Sequence, residues 1–516
     1  MNAYLPPELE AGGRVWGFGV NLYAMRSARN WGMGDFTDLS NIVRSASQLG
    51  AGIVGINPLH ALRWNDFEAA SPYSPTSRFF LNPLYIDIEA VPEFADPEVQ
   101  KLVLSASFQE DLRAARESPY IRYDLVGSLK NRALDALYEA WKRDPRRFSG
   151  VLHDDGRLQN FDIYLQFVAD EQLAAAGREA EELGVMLYRD LAVGVPLESA
   201  DVRMHRADYN FDHTIGAPPD PLGPLGQDWG LAPPEPAAMM PPRSETFADL
   251  VRANMRYAGA LRIDHAMSLQ RLFWIPRGRR PADGTYVEYP FDHLRTIVAH
   301  ESRQARCLVI GEDLGTVAPG FREAMAREGF FSYRVLTFER EDDGRFRWPD
   351  RYPQNALATA TTHDTPTLVG WALGRDLDTR VAAGLLSPED AARGHGSRRV
   401  DATRLLEALH AAGELDDGAV AGLHLAIDRR ETDPNTYASL VSAAYRFLAR
   451  SPARIVLVQF DDVAGELDQI NVPGTTREYP NWRRRSGLAV EALTQDERIK
   501  SLAARLNEIV RGGRGA

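Results

Sequence analysis

The chain has 516 residues, 44% of them hydrophobic, and a formal net charge of -13. That length can bury a large core, while the acidic balance, which repels phosphate backbones and anionic lipid, argues against nucleic acid and membrane partners. The single cysteine, Cys307, rules out a disulfide framework within the chain and a cysteine metal cluster.

Residues 1–14 have neither the basic start nor the apolar centre of a signal peptide, and no apolar run is long enough to span a bilayer. A cytoplasmic protein is expected. Short apolar runs then recur at 17–23, 52–57, 185–191, 260–263, 307–310, 333–338, 356–360 and 455–460. Their length and their Val, Ile and Leu content predict strands buried on both faces. Helical stretches between them predict parallel βα units, and eight such runs match a closed (β/α)₈ TIM barrel. An open doubly wound sheet has the same local pattern.

Two gaps are too long for one helix. The first starts with a loop-like stretch, 64–81, and turns helical near Asp96-Pro97, which reads as an N-cap followed by proline in the first turn. Residues 130–143 and 161–175 have helical apolar spacing, so 82–180 is expected to be a mostly helical insertion. The second gap predicts another helical insertion over 365–450, both within a single catalytic barrel spanning 1–516. Residues 218–242, rich in proline and glycine, read as an ordered lid-like loop. Cys307, inside an apolar run, reads as a small buried hydrophobe.

Side chains at the C-terminal ends of barrel strands face the active site. Four acids stand there: Asp190, Asp264, Glu312 and Asp364. Asp35 reads as a helix N-cap. Converging carboxylates suit either a divalent cation or glycosyl chemistry. His265 and His363 keep the metal alternative open. Arg262, two residues before Asp264 on the same strand face, opposes a bound metal and favours an ionised carboxylate. For glycosyl chemistry Asp264 is then the nucleophile. Glu312, after an apolar run and among other acids, is a proton donor of raised pKa. Asp364, with His363, would bind sugar hydroxyls near the reacting carbon. Tyr73 and Trp229 are candidate platforms for sugar rings. Strand alternation turns only one of Glu312 and Asp313 into the mouth. The run Asn481-Trp482-Arg483-Arg484-Arg485 reads as a solvated face or a set of ion pairs.

The segments Arg262-Ile263-Asp264-His265, Gly311-Glu312-Asp313-Leu314-Gly315 and Thr362-His363-Asp364-Thr365-Pro366-Thr367 resemble the signatures of the amylomaltases. These are 4-α-glucanotransferases of glycoside hydrolase family 77, in the α-amylase clan. Asn30-Trp31-Gly32-Met33-Gly34-Asp35-Phe36, Ser71-Pro72-Tyr73-Ser74-Pro75, Tyr188-Arg189-Asp190-Leu191, Gly226-Gln227-Asp228-Trp229-Gly230 and Asn471-Val472-Pro473-Gly474-Thr475 are similar to that family rather than to the clan at large. The likeness runs from about Trp16 to Arg485, and is nearest to the bacterial maltodextrin-using type.

The resemblance implies retaining transfer between α-1,4-glucans, with maltooligosaccharides, starch or glycogen fragments as substrates and glucose as an acceptor. It implies Asp264 as nucleophile, Glu312 as acid/base and Asp364 as transition-state stabiliser. Arg262, His363, Asp190, Tyr73, Ser71 and Trp229 match substrate-contacting positions. No metal or organic cofactor is implied. Many of that type carry an extra N-terminal region, whereas this chain starts almost at the first barrel strand. The clan's C-terminal β-sandwich is not expected. An α-glucan hydrolase on the same barrel is the nearest alternative, and a catalytically dead glucan-binding protein is a more distant one.

Overall fold

The computed structural model describes residues 2–63, 70–143, 160–219 and 225–512. Eight parallel strands close into a barrel: β1 (Val15–Val20), β2 (Ile53–Ile56), β3 (Met186–Leu191), β4 (Ala260–Ile263), β5 (Leu308–Gly311), β6 (Phe331–Val335), β7 (Ala356–Thr359) and β8 (Ile455–Gln459). They neighbour one another in chain order, and β8 returns to pair with β1, Val15 opposite Ile455. The closed barrel is the predicted fold, and it excludes the open sheet. Each predicted run overlaps a strand. The sixth is displaced: the strand begins at Phe331, and the chain already turns at Val335, whose carbonyl accepts from the Phe338 and Glu339 N–H groups.

Alternation along each strand sorts side chains between the barrel interior and the helix-facing exterior. Ile53, Tyr188, Leu308, Ile310, Phe331, Tyr333, Leu357, Ile455 and Leu457 fill the interior. Leu9, on the short N-terminal helix Pro7–Glu10, joins that cluster and is 1% exposed. Space inside is tight. A Cβ on Gly17 would stand 1.8 Å from the Ile53 carbonyl oxygen, and one on Gly55 2.6 Å from the Tyr188 ring. Glycine at these two places lets β1 and β2 approach their neighbours closely.

Helices occupy most of the two long gaps. Between β2 and β3 lie Pro97–Val103, Ala106–Glu117, Tyr123–Arg143 and Asn160–Glu182, the first capped by Asp96, which accepts the Glu98 N–H at 3.0 Å. Between β7 and β8 the longest are Pro388–Ala411, Asp417–Arg429 and Ala438–Ala449. Past Gln459 the regular elements among the described residues are helical, ending with Glu497–Gly512. No helix among the described residues is long and apolar enough to cross a membrane.

Two expected loops are partly strand. Ser77–Leu81 pairs antiparallel with His60–Ala61. Residues 64–69 of that loop, and 220–224 of the expected lid, lie outside the described residues. Within the lid, Gln227–Leu231 is the edge strand of a four-stranded antiparallel sheet, beside His213–Ala217, Arg271–Pro276 and Thr285–Glu288. Proline and glycine hide this strand. It pairs with the neighbouring strand His213–Ala217, which is held in turn by Arg271–Pro276, and local spacing does not register that support.

Candidate active site

Strand register builds the centre of the site. Asp190 on β3 and Arg262 on β4 are opposite one another, and Arg262 is also opposite Ile310 on β5. Both side chains are inward and buried. Arg262 Nη1 donates to both oxygens of Asp190 at 2.8 Å, and its Nη2 lies 2.9 Å from Asp264 Oδ1. One guanidinium thus bridges two carboxylates, a geometry suited to its planar fork. Burial alone would lower the pKa of Arg262, but Asp190 and Asp264 outweigh it and hold it well above its ordinary value. Arg189, one residue out of phase, points outward and caps the helix Glu245–Met255 through the Ala253 and Arg256 carbonyls.

The ladder continues one step past the strands. Asp264 N–H donates to the Leu191 carbonyl, and Glu312 N–H to the Ile263 carbonyl, both at 3.0 Å. Beyond Asp264 the backbone turns sharply at His265, a non-glycine residue at φ 45°. That turn aims the His265 N–H at Glu312 Oε2 (2.8 Å), while the Leu314 N–H reaches Oε1 (2.6 Å). Burial pushes the Glu312 carboxyl up to about 7. Arg262 opposes this, Asp264 adds to it, and the two N–H donors lower it. A carboxyl poised there can give up and regain a proton near neutrality. Asp313 faces the other way, fully buried, bonded to the Tyr333 N–H and to Arg322 and Arg334.

The opposite wall comes from β7 and from loops. Tyr73 Oη donates to Asp190 Oδ2 at 2.7 Å and lies 3.2 Å from His363 Nδ1; the two rings stack with centroids 4.5 Å apart. His363 Nε2 is 3.2 Å from Asp364 Oδ2, and Asn471 Nδ2 donates to Asp364 Oδ1 at 2.7 Å. The surrounding protein would raise the pKa of Asp364, but His363 and Asn471 overcome this and bring it to about 2. The same contact raises the pKa of His363 against the effect of burial. Asp364 is therefore an anion, and it is the most open of the four acids, with its side chain 51% exposed.

Seven of the nine predicted residues, Asp264, Arg262, Asp190, Tyr73, Ser71, His363 and Asp364, are linked around one mouth, and Glu312 and Trp229 both reach it through His265. Trp229 stands on the edge strand rather than in a loop, edge-on to His265 at 5.2 Å. Ser71 serves the turn that presents Tyr73, its Oγ accepting the Tyr73 N–H at 3.3 Å. Sequence reasoning missed His265 as a backbone donor, Asn471 as the partner of Asp364, and Trp482. Asn471 lay inside a motif singled out above, so a signal for it was present. Trp482 lay in the basic run read as a solvated face or ion pairs. Arg484 does pair with Glu466 at 2.8 Å, but Trp482 and Arg485 are buried. Among the described residues no group of three or more His, Cys, Asp or Glu side chains is arranged to hold a metal ion.

A parallel barrel with buried, cation-bridged carboxylates at its C-terminal mouth defines the class of carboxylate-based barrel enzymes. The profile of one such family, glycoside hydrolase 77, described as 4-alpha-glucanotransferase, matches residues 20–154 and 141–489, and the chain belongs to that family. It is 35% identical to a 4-alpha-glucanotransferase of Haemophilus influenzae, over 98% of this chain and 80% of that protein. It is 37% identical to one of Mycobacterium tuberculosis, over 92% of this chain and 72% of that protein. The crystal structure of amylomaltase from Corynebacterium glutamicum superposes with a TM-score of 0.87 at 31% identity, covering 98% of this chain and 77% of that one. An amylomaltase from Streptococcus agalactiae, solved with acarbose, shares the fold, with a TM-score of 0.73 at 16% identity over 96% of this chain and 99% of that one.

Proposed function

We propose that the mouth carries out a retaining double displacement on α-1,4-glucans. The activity is 4-α-glucanotransfer, and hydrolysis is not favoured. In the proposed mechanism an Asp264 oxygen attacks the anomeric carbon. The bond from that carbon to the leaving 4-oxygen breaks, and the proton of Glu312 passes to that oxygen. Glu312, now a base, takes the proton of an incoming 4-hydroxyl as that oxygen displaces Asp264. Two inversions restore the α-configuration. Electrons and protons balance with no cofactor. Asp364 and His363 hold sugar hydroxyls beside the reacting carbon, Tyr73 and Trp229 offer ring faces, and Ser71 shapes the approach through Tyr73.

One observation carries this reading. A single buried guanidinium stands 2.9 Å from Asp264, while burial holds the carboxyl of Glu312, on the next strand, up to about 7, where it retains a proton. A carboxylate paired with a cation and a carboxyl that holds its proton stand on adjacent strands, the two roles the first step requires.

Maltooligosaccharides as donors, glucose as an acceptor and a cytoplasmic location belong to the proposal. So does the division into one barrel with helical insertions over 82–180 and 365–450. Incubation with maltotriose tests the reaction: free glucose and longer maltodextrins are expected, with no net growth of reducing ends. Steady growth of reducing ends would replace transfer by hydrolysis.

A further inference from the structure

Trp482 is a bulky residue near the mouth with a strained backbone. Its φ is 60°, a left-handed conformation that a large side chain adopts only when its surroundings enforce it. The enforcement is visible. Its N–H donates to the Ile470 carbonyl at 3.1 Å, and its own carbonyl accepts the Tyr123 hydroxyl at 2.9 Å. On either side, Ile121 N–H donates to the Arg483 carbonyl (2.6 Å) and Arg485 N–H to the Pro119 carbonyl (3.1 Å). The linker between helices Ala106–Glu117 and Tyr123–Arg143 therefore clamps the segment from outside the barrel.

The clamp delivers a ring to the back of the site. The indole is 4% exposed, with its centroid 5.4 Å from Tyr73 and 5.5 Å from His363, the two rings that stack on each other. Next to it, Asn481 Oδ1 accepts the Val472 N–H at 2.8 Å and so pins the loop that carries Asn471. Both groups bound to Asp364, His363 and Asn471, are braced by this one segment. No polar atom of Trp482 reaches the carboxylates, so its action is through its neighbours.

We infer that Trp482 is a positioning residue: the linker between those two helices, 119–123, holds it in a strained conformation so that its ring fixes Tyr73 and His363, and through them Asp364. This rests on the proposed role of Asp364 and His363 in transfer. Such a brace acts on orientation in the transition state more than on ground-state binding.

The test compares W482L, which keeps apolar bulk, with W482F, which keeps a flat ring, in the full chain on maltotriose. W482L is expected to lower kcat about 100-fold with KM little changed and melting close to wild type, the scale of an ångström-sized misplacement. W482F is expected to recover most of that loss. Wild-type kcat in folded W482L overturns the inference. So does equal damage in both variants, matched by equal loss of folded protein, which would mean packing alone. Should W482L not fold, Y123F decides: a lowered kcat at unchanged melting supports the brace, and wild-type kcat overturns it. Undiminished transfer by D364N would instead overturn the reading of the site, whatever Trp482 does.

Discussion

At the scale of single residues, the site is a contest between burial and pairing. Arg262 and Asp190, with side chains 6% and 5% exposed, are tolerable in the barrel only because each satisfies the other. R262M leaves Asp190 without its bidentate partner and removes the cation beside Asp264. It is expected to lose about 3–5 kcal/mol of stability, read by denaturant unfolding, together with nearly all transfer. D264N removes the proposed nucleophile and keeps the shape; loss of turnover on the order of 10⁴-fold or more is expected. Near-normal turnover by folded D264N would refute the assignment. Glu312 contributes to the pH dependence, alongside Asp35, which burial also holds up to about 7. The folded pKa of Glu312, about 7, lies above its ordinary value of 4.5. Between those values the folded protein binds more protons than the unfolded one, so stability falls as pH rises through that window. The first chemical step should slow as pH rises past about 7, because the acid is lost. E312Q should abolish turnover and also make that part of the stability profile less steep, with the slope due to Asp35 remaining, which unfolding at a series of pH values would show.

At the scale of elements, parity along strands explains which acids meet. Tyr188, Asp190, Arg262, Asp264, Ile310 and Glu312 share the inward phase, and Arg189 and Asp313 the outward one, so neighbours in sequence face opposite sides of the same wall. The antiparallel sheet outside the barrel sets Trp229. A Cβ on Gly216 would meet the Gln227 carbonyl oxygen at 2.0 Å and Ile275 Cδ1 at 2.5 Å. Gln227 in turn accepts the Trp229 indole N–H at 3.1 Å. G216A should wedge the strands apart, costing about 1–3 kcal/mol and raising the KM for maltotriose in the same direction as W229A. An unchanged KM would mean that the sheet does not set the position of Trp229.

At the scale of the whole molecule, closing the barrel separates stability from chemistry. Leu9 packs into the barrel interior from the N-terminal helix, within the apolar cluster of Ile53, Leu308, Phe331 and Ile455 and far along the strands from the carboxylates. L9A should open a cavity and cost about 2–5 kcal/mol, while kcat per folded molecule stays at the wild-type level. A fall in kcat without a fall in melting temperature would show that the barrel floor and mouth are coupled.

The pattern of apolar runs by itself determined the eight strands, because burial on both faces demands uninterrupted Val, Ile and Leu wherever a parallel strand lies. The acids after those runs were legible for the same reason: strand ends are where polar groups first meet solvent. What sequence could not determine was which side chains touch. The Asp190–Arg262–Asp264 bridge depends on register between strands some seventy residues apart in the chain, and the grip of the His265 N–H on Glu312 depends on one left-handed turn. Gln227–Leu231 became a strand because His213–Ala217, itself held by Arg271–Pro276, supplied its hydrogen bonds, and Trp482 a buried brace because distant partners supplied bonds and packing that local composition argued against. Hydrophobic periodicity is local and so is written along the chain; pairing, burial of charge and backbone strain arise only when the tertiary structure brings the partners together.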